Sequence, residues 1–243
     1  GSALARLLRM TVEETRLLML AGAAGGMGAV FRAPLGGALF AVEVVYSSTA
    51  MESTALLPCM VSAIVAYSTF ALFLTPRPMF VVNRLNFHGF SHLPLFVLLG
   101  LACVVLGGLY VRVFYGLQDR LFHRIRMKPH FKPMIGGAML GLLAIGYPQL
   151  MGGGYGWIQW GAMGEILSLS PNGRRIGDPQ MGIGLLLTLA FLKPIATGFS
   201  IGSGGSGGLF GPSLFIGGML GGATGQLMAS FFPTWDIQPA AYA

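Results

Sequence analysis

The chain has 243 residues, of which 54% are hydrophobic and only 9% charged, with a formal net charge of +7. Soluble domains carry roughly a quarter charged residues, so the composition excludes an ordinary soluble enzyme and predicts an all-α, polytopic membrane protein. The basic residues fall between apolar segments, not along one face with interleaved aromatics, which argues against a nucleic-acid partner and for anchoring beside a lipid bilayer.

Residues 1–16 put Leu4, Leu7, Leu8 and Val12 on one helical face and Arg6, Arg9, Glu13, Glu14 and Arg16 elsewhere, which predicts an amphipathic interfacial piece. Residues 17–30 are apolar and rich in Gly and Ala, too short to cross a core of about 30 Å. Half-spanning helices belong inside protein, not against lipid. FRAPLGGALFAVEVVY, residues 31–46, restarts a helix at Pro34 and carries Glu43 in an apolar run. A carboxylate at that depth faces a cavity or a partner, unless it lies near the helix end and is satisfied by water or N–H groups. Residues 52–74 span, and residues 76–92 form a polar loop. Residues 93–119 would reach roughly 40 Å as a straight helix and so should tilt. Cys59 and Cys103 lie inside apolar segments and read as small buried hydrophobes. Arg120, Arg124, Arg126, Lys128 and Lys132 form the densest basic cluster, and the positive-inside rule puts the 120–132 loop in the cytoplasm and the 76–92 loop outside.

A short apolar segment follows at 133–148. Residues 151–164 hold a second glycine cluster with Trp157 and Trp160, which suit either a membrane interface or packing against protein. After a polar loop at 171–179, residues 181–199 span, with Lys193 and Pro194 near the end. They deliver the chain to IGSGGSGGLFGPSLFIGGMLGG, residues 201–222. Glycine lets consecutive N–H groups turn toward one point, and Pro212 suits the first turn of a helix starting near Leu209 or Phe210. Orphan N–H groups and the positive end of the helix dipole make that start an anion site. The stretch has no Lys or Arg, so partial charges would bind an anion and release it again, as conduction requires.

Other readings compete. Gly202, Gly204 and Gly207 match G-x-G-x-x-G, but a long apolar segment precedes them and no acidic residue follows until Asp236, against the dinucleotide context. Gly204, Gly205, Ser206 and Gly207 match the G-x-S-G of a serine nucleophile, and an intramembrane serine hydrolase using Ser206 would need a histidine partner. His88, His92, His123 and His130 lie in polar stretches between the apolar segments. A flexible linker or a close-packing glycine surface is the plain alternative for the loop taken alone.

Four stretches carry a resemblance. GSGGSGGLFGPSL resembles the glycine-rich G-x-F-x-P signature of the CLC family of chloride channels and chloride/proton exchangers. FRAPLGGALFAVE is similar to that family's phenylalanine-asparagine-alanine-proline-leucine helix, GLQDRLFHRI to the end of its long middle helix, and MGGGYGWI to its glycine-triplet loop, all in the family's order. The resemblance implies an inverted-repeat fold of tilted, short and broken helices, with residues 1–243 as the central portion of one membrane domain. The family's gating glutamate, pore serine and pore tyrosine match no position here, so the gating-motif region and the C-terminal helices are expected to lie beyond the chain.

By the resemblance, the anion is held by backbone N–H groups of Leu209 and Phe210, flanked by Gly208 and Gly211, with Gly202, Ser203, Gly204, Gly205, Ser206, Gly207 and Pro212 supporting the loop. Arg32 replaces the family's common asparagine. Proton-exchanging members often end the following helix in a glutamate pair whose second member relays protons, whereas this chain has Glu43 and Val44. Valine cannot ionise, which favours an uncoupled, channel-like chloride pathway, with a chloride/proton or fluoride/proton exchanger as the alternative. The resemblance further implies no enzyme activity, metal or cofactor, chloride as substrate, a bacterial inner-membrane location, and a homodimer formed through the helices at 34–46 and 52–74.

Overall fold

The computed structural model describes residues 1–45, 53–74, 80, 92–124, 127–159, 181–235 and 237–243. Apart from Phe80 and His92, the loops at 76–92 and 171–179 fall outside these residues, as do Tyr46, Glu52, Arg126 and Trp160. Among the described residues all regular structure is helical, with no strand, as the composition predicted. The chain divides into two compact units, Gly1–Val81 and Val82–Ala243.

The first unit contains α1 (Ser2–Leu7), α2 (Val12–Val30), α3 (Pro34–Val45) and α4 (Ser53–Phe73). The single amphipathic piece expected over residues 1–16 is in fact broken. The chain turns through Arg9, whose φ is +52°, and α2 starts at a capping box. There the Thr11 hydroxyl accepts from the Glu14 N–H at 3.4 Å, and the Glu14 carboxylate accepts from the Thr11 N–H at 2.9 Å. These two reciprocal bonds satisfy orphan donors of the first turn. The bonds from Thr11 hold the Glu14 carboxyl below its usual range. A depressed folded-state pKa means the box stabilises α2 fully above the ordinary carboxylate pKa and loses this contribution as pH falls through the lowered value. Hydrogen exchange should therefore find the first turn of α2 opening more often at acid pH. Thr11→Ala should raise that opening about fivefold at neutral pH, whereas Glu14→Gln, which removes the titrating carboxyl, should flatten the pH dependence.

α2, α3 and α4 pack through small residues. Ala24, Ala38, Val42, Cys59 and Ala63 are fully buried, and a Cβ at Gly37 would press on the backbone of Gly28 at 2.6 Å, while one at Gly28 would press on Ala63 at 2.9 Å. Gly37 and Ala38 of α3 are thus occupied inside the unit, whereas Gly36 is exposed. Arg32 takes a left-handed φ of +54° and lays its guanidinium over the Phe70 ring, 5.7 Å from the centroid. Cation and ring quadrupole attract there, which gives the charge a partner on α4.

The second unit contains α5 (Leu93–Leu117), which runs on as a π-helical turn over Gln118–Phe122, then α6 (Lys132–Gly146), the short α7 (Tyr155–Trp157), α8 (Ile183–Ser200) and α9 (Phe210–Phe231). Cys103, expected to be buried, is exposed on α5, whereas Cys59 is buried as predicted. The tail after α9 folds back along it. Cβ atoms at Gly221 and Gly225 would collide with Tyr242 and Pro239, and Tyr242 stacks on Phe96 at 4.6 Å.

Thr54–Phe73, Leu93–Phe122, Ile183–Ser200 and Phe210–Phe231 are long and apolar enough to cross a membrane, while α3 and α6 are shorter. At 1.5 Å per residue the 30-residue Leu93–Phe122 helix extends about 45 Å, which exceeds a core of about 30 Å and requires tilt if it spans.

Candidate functional site

The glycine loop joins the end of α8 to the start of α9, and its two halves do different things. In the first half, the N–H groups of Gly202, Gly204 and Gly205 donate to the carbonyls of Thr197, Ile201 and Ser200 at 3.5, 2.9 and 3.2 Å. The Ser203 hydroxyl donates to the Ser200 carbonyl at 2.8 Å. Gly204 has φ +98°, a left-handed conformation that lets the chain reverse over the end of the helix. These amides are committed to capping α8 and do not converge on a separate point.

In the second half, Ser206, Gly207, Gly208 and Leu209 are exposed. Leu209 is the N-cap of α9, and its carbonyl accepts from the Ser213 N–H at 3.1 Å and from the Tyr110 hydroxyl of α5 at 3.3 Å. Pro212 sits in the first turn, as expected. Among the described residues no protein acceptor meets the N–H groups of Gly208, Leu209 and Gly211. A helix start with donors left over and no acidic side chain in its first turn is suited electrostatically to an anion.

The segment around α7 runs along the same part of α9. A Cβ on Gly211 would lie 2.9 Å from the Tyr155 hydroxyl, one on Gly218 2.8 Å from Ile158, and one on Gly154 would collide with the Phe215 ring. Burial pushes the Tyr155 hydroxyl above its usual pKa, so it remains protonated at neutral pH. On α8, Lys193 is 2% exposed. Its ammonium donates to the Leu150 and Gly152 carbonyls, each at 2.8 Å, and lies 4.7 Å from the Phe215 ring centroid. The sequence marked Lys193 only by position. The signal available was a charge within an apolar span, which is expensive and rarely idle.

On the other side of the loop, an open cavity of about 460 Å³ is lined by Gln118, His123, His130, Lys132 and the Ile201–Gly204 turn. His123 is paired with Asp119 at 3.0 Å, and His92 packs against Trp235 with ring centroids 5.9 Å apart. Glu43 and Val44 lie in the first unit, both exposed near the end of α3.

Comparison with known proteins decides the family. The model described as "Voltage gated chloride channel" matches residues 1–243, the whole chain. The chain belongs to the voltage-gated chloride channel, or CLC, family. It is 30% identical over 239 residues to the H(+)/Cl(-) exchange transporter ClcA of Cronobacter sakazakii, covering 97% of this chain and 48% of that protein. It is 32% identical over 248 residues to the ClcA of Vibrio cholerae serotype O1, covering 100% and 50%, and 30% identical over 248 residues to the ClcA of Yersinia pestis, covering 100% and 48%. The chain thus spans about half the length of the curated relatives it matches. Membership in the CLC family and four span-length helices make this an integral membrane protein.

Proposed function

We propose that the chain contributes to a chloride pathway in a proton-coupled exchanger, with the anion held by the backbone N–H groups of Leu209 and Phe210 between Gly208 and Gly211. The observation that carries this reading is the start of α9, where N–H groups of Gly208, Leu209 and Gly211 find no protein acceptor among the described residues, in a chain of the CLC family. Exchange replaces the channel-like pathway suggested by Val44, because the similar proteins carry the name of H(+)/Cl(-) exchange transporters. Gly202 to Gly207 and Pro212 shape the loop and are not ligands in this reading. Glu43, exposed near the end of α3, is the ionisable group of the Glu43–Val44 pair, and we assign it the proton-relay position. The fluoride alternative is not needed to account for any of these features.

The test uses the full-length protein in vesicles with a chloride gradient imposed and the voltage clamped by an ionophore. Protons moving uphill, driven by chloride, are expected, and Glu43→Gln should cut that movement at least tenfold. Chloride flux without proton movement would return the channel reading.

The same proposal places the protein in a bacterial inner membrane with the 120–132 loop cytoplasmic, and pairs it as a homodimer through α3 and α4. Since Gly37 and Ala38 are buried within the first unit, the exposed Gly36 and residues such as Leu35, Leu39, Leu57 and Val61 are left on these helices to face a second copy. Crosslinking that captured only monomer, in membranes and in detergent, would dispose of the dimer.

A further inference from the structure

We propose that Lys193 is a positioning residue of the anion pathway: its ammonium pins the glycine-triplet loop along α9, and the loop fixes where the first turn of α9 stands. The proposal rests on the anion-pathway reading above.

A lysine near a membrane boundary ordinarily snorkels, burying its stem and keeping its charge in water. Lys193 does the opposite. It is among the fully buried side chains, and its partners among the described residues are two carbonyl dipoles and the Phe215 ring, with no carboxylate. An ammonium held this way is costly unless its position is needed. What it holds is the loop from Leu150 to Gly152, whose carbonyls converge on the charge.

That loop continues into three contacts on one face of α9. Tyr155 meets Gly211, Gly154 meets Phe215, and Ile158 meets Gly218. Positions four and seven apart lie on the same side of a helix, so residues 154–158 act as a splint from the first turn of α9 into its third. Gly154 is at φ +73° and has no side chain to obstruct the Phe215 ring. Phe215 is fully buried and is touched by both the splint and the ammonium. Lys193 therefore bears on the start of α9 through two routes, the loop carbonyls and the ring. Hydrogen bonds weaken steeply with misalignment, so a small shift of α9 would reach the anion as lost affinity.

The experiment measures chloride affinity of the purified full-length protein by calorimetry, and chloride dependence of flux in vesicles. Lys193→Met keeps the length but leaves the two loop carbonyls without their donor. It is expected to raise the chloride Kd about tenfold and the KM for flux by a similar factor, with the maximal rate changed less than threefold. Lys193→Arg, whose guanidinium can still donate to both carbonyls, should restore affinity to within about threefold. Phe215→Leu removes the ring beneath the ammonium while keeping the position apolar, and should raise Kd several-fold. A folded Lys193→Met protein that melts at a lower temperature but binds chloride like wild type would overturn the proposal, because that is what a purely structural lysine does. Should Lys193→Met fail to fold, unchanged affinity in Phe215→Leu overturns it instead. Wild-type protein that binds no chloride would bring down the anion-pathway reading, and this proposal with it, whereas wild-type binding with indifferent variants removes the positioning role alone.

Discussion

Replacing Leu209 with proline is expected to weaken chloride binding by the full-length protein roughly tenfold to a hundredfold, the range set by losing one hydrogen bond to a charged ligand. The substitution is unusually clean at this position. Leu209 has φ −81°, close to the value proline imposes, and it follows Gly208, the residue type least troubled by a proline after it. Its carbonyl stays in place to accept from Ser213 and Tyr110, so the cap of α9 survives and only the N–H is lost. Phe210→Pro would be a poorer test, since it would disfavour the helical ψ of −16° at Leu209. Leu209→Ala keeps the N–H and removes the same side chain, and is expected to bind chloride within about threefold of wild type. Equal affinities for the proline and alanine proteins would mean that the anion is held elsewhere.

Gly136→Val is expected to damage the fold of the second unit severely, at about 3 kcal/mol or more. A Cβ at Gly136 would run into the carbonyl oxygen of Phe199 and the side chain of Ser203. The carbonyl belongs to the last turn of α8 and cannot swing away as a side chain would. α6 thus approaches the loop-capped end of α8 at a distance that only glycine permits. Thermal unfolding followed by size-exclusion chromatography in detergent reads the loss. By contrast, Gly137→Ala should be nearly silent, because a Cβ at Gly137 meets nothing within 4 Å. Equal melting temperatures for the two variants would contradict this packing.

Helix starts were the most legible feature of the sequence. Pro34 and Pro212 marked the beginnings of α3 and α9, and the structure starts those helices at Pro34 and Phe210. The break near Arg9 was missed although its signal was present, since Thr11 and Glu14 stand at capping-box spacing. The leucine pattern over residues 1–16 outweighed that local chemistry. Glycine content announced a mobile backbone around the candidate site but not its direction. Freedom of φ is a property of the residue, whereas the choice of Gly202, Gly204 and Gly205 to cap α8 depends on where that helix ends. The tail was unreadable for the same reason, because its docking surface is the Gly221 and Gly225 face of α9. Lys193 was visible as a charge in an apolar run, but its partners lie 43 and 41 positions upstream and no local pattern joins them. In the Glu43–Val44 pair the sequence names which group ionises and is silent on the route a proton takes, so it could not decide coupling.

The dependence of Lys193 on Leu150 and Gly152 also bears on how the chain is made. Synthesis runs from the N-terminus, so the two carbonyls leave the ribosome before the lysine does. A lysine in a helix entering the bilayer weighs against insertion, by up to about 3 kcal/mol at the helix centre, and α8 carries no second charge. Two of the groups that hold that charge are therefore already made when α8 arrives, whereas the Phe215 ring follows it.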